Sequence, residues 1–261
     1  MSELAFEGLA EEYERWRPRY PPEILRALVA DVDGAGPRGD GLLVDVGAGS
    51  GISTRLVRDV FGGGPPIIGI ESGADMLRKA WAATPYDAMI EYRTGEAERL
   101  PLGSDSAVLV LAAQAIQWFD RAAFLAEAAR VLRPRGVVAL LQNDRQWAVG
   151  GAAASLEDFL ERHSPGYSRH YRSFDLTQEL SAAPGFGAAR SVNVRWTCAL
   201  SQRGFVAMAL TSSKTRAAGR VIGIDAVHEQ LTAIARAAAS CDGKVVIPYV
   251  TRLHWACLDA G

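Results

Sequence analysis

Residues 42–54, LLVDVGAGSGIST, constrain this chain more than any other stretch. Apolar and β-branched residues run into Asp45, glycines stand at 47, 49 and 51, and an amphipathic run follows at once, which reads as strand, tight turn and helix. Such a turn suits a nucleotide. A dinucleotide fingerprint needs its third glycine where Ile52 stands, and a phosphate-cradling loop ends in Gly-Lys-Ser/Thr, which is missing here. Neither NAD nor ATP is the expected ligand.

The same alternation continues downstream. The helix after the turn carries Ile52, Leu56, Val57 and Val60 on one face, GGGPP breaks it, and IIGIE reads as the second strand. Ser72 is placed to cap a helix bearing Met76, Leu77, Ala80 and Trp81, which stops before Pro85. AMIEYR and AVLVLAA are the third and fourth strands. Asp120 is placed to cap a helix through Phe124, Ala128 and Leu132, and RPRG ends it before the strand VVALLQ. Repeated β-α units predict a parallel sheet with helices on both faces.

Composition narrows the partners. With 261 residues, 49% of them hydrophobic, the chain can bury a large core as one elaborated domain or a domain with a cap. A net charge of −2 gives no general attraction to nucleic acid or to an acidic membrane. No apolar run approaches a membrane span and the opening twenty residues are too charged for a secretory signal, so a cytosolic protein acting on a small molecule, monomeric or homodimeric, is expected. Cys198, Cys241 and Cys257 stand singly, without metal-ligand spacing, and are read as reduced, buried thiols. His254 and Cys257 lie three apart on a strand, hence on opposite faces, and no metal is predicted.

In a sheet of this kind the ligand lies beyond the carboxyl ends of the strands. Glu71 ends strand two, where a carboxylate can accept both hydroxyls of a ribose; Glu96 and Ala97 follow strand three, where a side-chain acceptor and a backbone amide could read an adenine edge. Gln114, Gln117 and Trp118 follow strand four. VDVGAGSG, IGIESGADML, GEAERLPL, AAQAIQWFD and RVLRPRGVVAL, in this order over residues 40–141, resemble the class I S-adenosylmethionine-dependent methyltransferases. They most resemble the type 11 group that includes trans-aconitate methyltransferase. YERWRPRYPPEIL also resembles that group's opening segment.

The resemblance implies an α/β, Rossmann-like fold with a seven-stranded, mostly parallel sheet whose last hairpin is antiparallel. It implies S-adenosyl-L-methionine as cofactor. Four segments are expected: an N-terminal helical lid (1–39), the cofactor-binding core (40–144), a substrate cap inserted after strand five (145–220), and a closing helix and strand (221–261). Carried over by position, Asp45, Gly47 and Gly49 go to the methionine end, Glu71 to the ribose, and Glu96 with Ala97 to the adenine, with Ala48, Ser72, Met76 and Gln114 as further cofactor-binding candidates. Tyr13 and Arg17 would close over its carboxylate, though Arg-Pro beside a helix end also fits an exposed turn. Family members often carry aspartate where Glu96 stands and histidine where Gln117 stands.

Glutamine cannot take up a proton near neutral pH, so Gln117 is expected to orient a substrate oxygen. A sulfonium methyl is already electrophilic, and an ionised carboxylate acceptor needs no base, which favours O-methylation of an acid; otherwise a base comes from the cap, where His170 is the best candidate. Tyr20, Trp118 and Tyr171 complete the substrate candidates, with core packing as the alternative for Trp118 and a solvated surface for His163 and His170. Arg169, Arg172, Arg195, Arg203, Lys214, Arg216 and Arg220 either recognise an acidic substrate or form a solvated face. The rival reading is a cofactor-binding protein that catalyses a rearrangement or regulates. A nucleic-acid base methyltransferase would show an Asn-Pro-Pro-Tyr-like turn after strand four, which is not there.

Overall fold

The computed structural model describes residues 10–35, 41–84, 86 and 89–260; residues 1–9 and 36–39 of the expected lid, and Pro85, lie outside them. The chain opens with α1 (Ala10–Trp16), α2 (Glu23–Arg26) and α3 (Val29–Gly34). Alternation follows: β1 (Leu42–Val46), α4 (Ile52–Phe61), β2 (Ile67–Glu71), α5 (Ala74–Ala83), β3 (Ile90–Thr94), β4 (Ala107–Ala113), α6 (Arg121–Val131) and β5 (Leu132–Arg145). The rest is α7 (Gly151–His163), α8 (Leu176–Ala182), β6 (Arg190–Ser201), α9 (Gln202–Leu210), α10 (Ser213–Ile222), α11 (Ile224–Ala237) and β7 (Lys244–Cys257).

The seven strands form one sheet in the order β3-β2-β1-β4-β5-β7-β6. The first five pair in parallel; β7 is antiparallel to both β5 and β6. From β1 the chain winds outward to β3, then crosses back to β4, so the crevice opens where the carboxyl ends of β1 and β4 diverge. Every residue of β4 is buried, the apolar run expected of a strand covered on both faces. Residues of α2 to α5 cover one face and those of α6 and α8 the other. A third cluster joins α7, α9, α10 and α11 to Val245, Ile247 and Tyr249 of β7.

Several local expectations change. The last two strands are joined through α9, α10 and α11 rather than a hairpin, so the extra helices arise after β6 as well as after β5, and β6 belongs to the sheet. Gly73, not Ser72, caps α5, and Trp81 is 51% exposed with its ring edge-on to Tyr92. Ser53 and Thr54 are buried beside Leu56 and Val57, while Ile52 faces the crevice, because Asp45 draws both hydroxyls inward. Leu132 leaves the helix to begin β5, whose register shifts across RPRG at Arg135 (φ 70°).

The cysteines are also less buried than expected. Cys241 is exposed in the turn before β7, and Cys198 and Cys257 are half-buried on the edge pair of strands. Burial raises both of the latter thiols' pKa values, which keeps them protonated. Among the described residues no helix is long and apolar enough to cross a membrane, and no three His, Cys, Asp or Glu side chains gather to hold a metal.

Candidate active site

A cavity of about 1590 Å³ lies over the carboxyl ends of β1, β2, β4 and β5 and beneath α1 and α10. Pockets for a single drug-sized ligand measure roughly 300–1,000 Å³, so this one is larger than one such ligand needs. One end is built by the glycine loop. Gly49 adopts φ 57°, a value side chains resist, and a Cβ built on it meets nothing within 4 Å, so the loop offers bare main chain to open space. Glu71 holds this loop to the next one: Gly49 N–H donates to its Oε2 at 2.9 Å and Gly73 N–H to its Oε1 at 2.8 Å. Each carboxylate oxygen keeps a further lone pair for a ligand hydroxyl.

Asp45 stands behind this wall. It is fully buried and does not line the cavity; its Oδ2 accepts from Ser53 Oγ and Thr54 Oγ1, both at 2.7 Å, while Oδ1 has no partner. Burial raises its pKa to about 6 against the two hydroxyl hydrogen bonds. The cofactor contact expected of Asp45 is therefore not made directly: the side chain fastens the start of α4 under the glycine turn.

The N-terminal side of the cavity is anchored by a residue the sequence reading passed over. Glu14 accepts from Ser50 Oγ at 2.6 Å, Arg55 Nη2 at 2.7 Å and Arg19 Nη2 at 2.8 Å, tying α1 to the glycine loop and to α4. Tyr13, Arg17 and Tyr20 all reach the cavity. Arg17 lies over the Tyr13 ring at 4.6 Å, and its buried Nε has no partner. Tyr20 is held protonated, its pKa raised by burial and then by Tyr13.

The other end is donor-rich. Gln114, with φ 55°, spends its side chain on the protein: Nε2 donates to Asn143 O at 2.6 Å and Oε1 accepts from Arg172 Nη1 at 2.8 Å. Gln117 Nε2 donates to Gln114 O at 2.6 Å, leaving its buried Oε1 unpartnered. Phe119 packs inward on Phe124, and Trp118 stays 40% exposed on the cavity wall with Lys214 Nζ 5.5 Å from its ring centre. Lys214 is also 5.3 Å from the Tyr171 ring. His170 is exposed, edge-on to Trp147 at 5.5 Å, and His163 packs on Phe159 away from the cavity.

Of the sequence-derived candidates, all but Asp45 line this one cavity, and so do Arg169, Arg172, Lys214, Arg216 and Arg220; Arg195 and Arg203 do not. Several wall residues carried no local signal. Arg145 donates to Glu157 at 2.7 Å and Tyr167 hydroxyl to the same carboxylate at 2.5 Å, a buried network whose members lie on three different segments. Glu157 sits in α7 at a spacing indistinguishable from a solvated position. His254 on β7 bonds Thr177 Oγ1 through Nδ1 at 2.8 Å, and burial followed by Arg252 lowers its pKa, leaving a neutral ring at pH 7. Gln142 is 5% exposed with Nε2 unpartnered.

A model of the family described as Methyltransferase domain matches residues 44–140. An uncharacterised methyltransferase of Mycobacterium tuberculosis is 30% identical over 252 residues, covering 95% of this chain and 93% of its own. A structure from Anaeromyxobacter dehalogenans, assigned as a type II methyltransferase, superposes with a TM-score of 0.65 at 23% identity over 94% of this chain and 99% of that one. A Haemonchus contortus phosphoethanolamine N-methyltransferase holding S-adenosylhomocysteine superposes with a TM-score of 0.55 at 17% identity, over 96% of this chain and 57% of that one.

Proposed function

The chain belongs to the class I S-adenosylmethionine-dependent methyltransferases, and from that premise we propose that it methylates a carboxylate oxygen of a small organic acid. One observation carries the reading. The cavity runs without a break from the Glu71-bridged glycine loop to a wall of amide and cationic donors, and holds more volume than one ligand fills.

The residues present fit S-adenosylmethionine. Arg17 Nε is an orphaned donor for its carboxylate, open space lies over Gly49 for the methionine tail, and Glu71 keeps lone pairs for the ribose hydroxyls. Glu96, Ala97 and Met76 border the place assigned to the base, with Ser72 beside the ribose. When bound, the cofactor supplies an electrophilic methyl group on a sulfonium.

The chain's own work is then placement. Gln117 Oε1 and Trp118 bound the space between the two ends, and alignment of reacting groups alone can supply roughly 7–11 kcal/mol. Lid residues Tyr13 and Tyr20 keep water out. Gln117 moves no proton, and His170 is exposed, so an acceptor already ionised at neutral pH suits this wall.

Methyl-labelled S-adenosylmethionine incubated with the protein and the acidic fraction of a cell extract tests this. Label is expected in a product that releases methanol on mild alkali, the signature of a methyl ester. Alkali-stable label would instead assign an ether, amine or carbon acceptor. Gln117→Ala is expected to slow turnover and leave cofactor affinity intact; equal damage to both would put Gln117 on the cofactor.

A further inference from the structure

The acceptor end of the cavity offers charge that the protein does not use. Asp144 is already taken by Arg172 and Arg252, and Glu157 by Arg145 and Tyr167. Lys214, by contrast, is half-buried between the faces of Trp118 and Tyr171, and among the described residues no carboxylate pairs with it. Two aromatic faces attract an ammonium but give it no hydrogen-bond acceptor, so its three N–H donors remain for a ligand in the cavity that Lys214 lines. Arg220, about 1.7 turns along α10, lines the same cavity and among the described residues also has no carboxylate partner. A second, independent feature is Gln142, 95% buried, with an Nε2 that has no acceptor. A buried donor left unpaired destabilises the fold, and a ligand oxygen would satisfy it.

Resting on the methyltransferase reading, the geometry points to an anion site for the acceptor: its carboxylate is held by Lys214, which Trp118 and Tyr171 flank, with Gln142 Nε2 as a second donor. The site takes small organic monoanions. Methylation at that carboxylate turns an anion and a sulfonium into a neutral ester and a neutral thioether, with no proton lost. The same lysine that retains the acid therefore releases the ester.

Calorimetry on the protein loaded with S-adenosylhomocysteine tests this with three probe pairs: benzoate, trans-cinnamate and 1-naphthoate, each against its own methyl ester. At least one acid is expected to bind roughly tenfold or more tighter than its ester, as a charge-assisted hydrogen bond implies. Lys214→Met, which keeps the stem between the rings, is expected to bring acid and ester to parity, and Lys214→Arg to restore most of the difference. Gln142→Leu is expected to weaken the acid severalfold while thermal stability holds or rises, since it deletes a buried unpaired group; a residue with a purely structural role would lose stability instead. Equal affinity of every acid and ester, no binding of any acid, or a gap unmoved in Lys214→Met overturns the anion site. Failure of S-adenosylhomocysteine to bind at the loading step overturns the methyltransferase reading itself, so the two failures are told apart.

Discussion

Asp45 shows how a single residue can be read correctly in the sequence as a landmark and wrongly as a contact. The motif placed it at the mouth of the glycine turn, but its Oδ2 accepts from Ser53 and Thr54 and the side chain does not line the cavity. Because burial raises its folded pKa to about 6, the ionised form is the penalised one. The penalty is absent below about pH 4 and complete above about pH 6, so stability falls as pH rises through that window. Asp45→Asn, neutral throughout, is expected to gain about 3 kcal/mol relative to the native chain between pH 4 and pH 7. Urea unfolding of both chains measures it, and curves offset equally at all pH values would contradict the assignment. Glu71, on the front of the same wall, behaves differently. In Glu71→Gln one of the two backbone donors now on its oxygens faces an NH₂ group, so cofactor affinity by calorimetry is expected to drop roughly tenfold or more. An unchanged affinity would remove Glu71 from the site.

At the scale of elements, the sequence marked the β-α units well because each carries its own punctuation. Asp120 caps α6 by accepting from Ala123 N–H at 3.1 Å, as its position before an apolar run implied. The N-terminal helices are less legible. Glu14 sits among charged residues on a seven-residue helix, and nothing local says that its partners lie 36 and 41 positions away. Tertiary packing also pins α1 from behind: the Trp16 ring crosses α9 at Gly204, where a Cβ would come within 2.8 Å of it. Glu14→Ala is expected to speed hydrogen exchange of residues 10–17 and cofactor dissociation by about tenfold, the scale of a lost charged hydrogen bond. Stopped-flow release of a fluorescent cofactor analogue reads the second effect, and an unchanged rate would make α1 a passive cover.

Across the whole molecule, β7 is the shared member. Its first half packs with the helices after β5 and β6, and its second half lies inside the sheet between β5 and β6. Removing core volume from the helical cluster should therefore be felt everywhere. Leu231→Ala is expected to cost about 2–5 kcal/mol and to lower a single calorimetric transition; a separate early transition would show the cluster melting by itself. The sequence by itself determined the parallel sheet, its turns and the glycine loop, because hydrophobic period, caps and glycines act within a dozen residues of where they are written. Only tertiary structure decided the far end of the cavity. Which arginine is neutralised, which amide is left unpaired and which lysine stands between two rings depend on distances between Trp118, Gln142, Tyr171 and Lys214, segments that no local rule relates and that packing alone brings together.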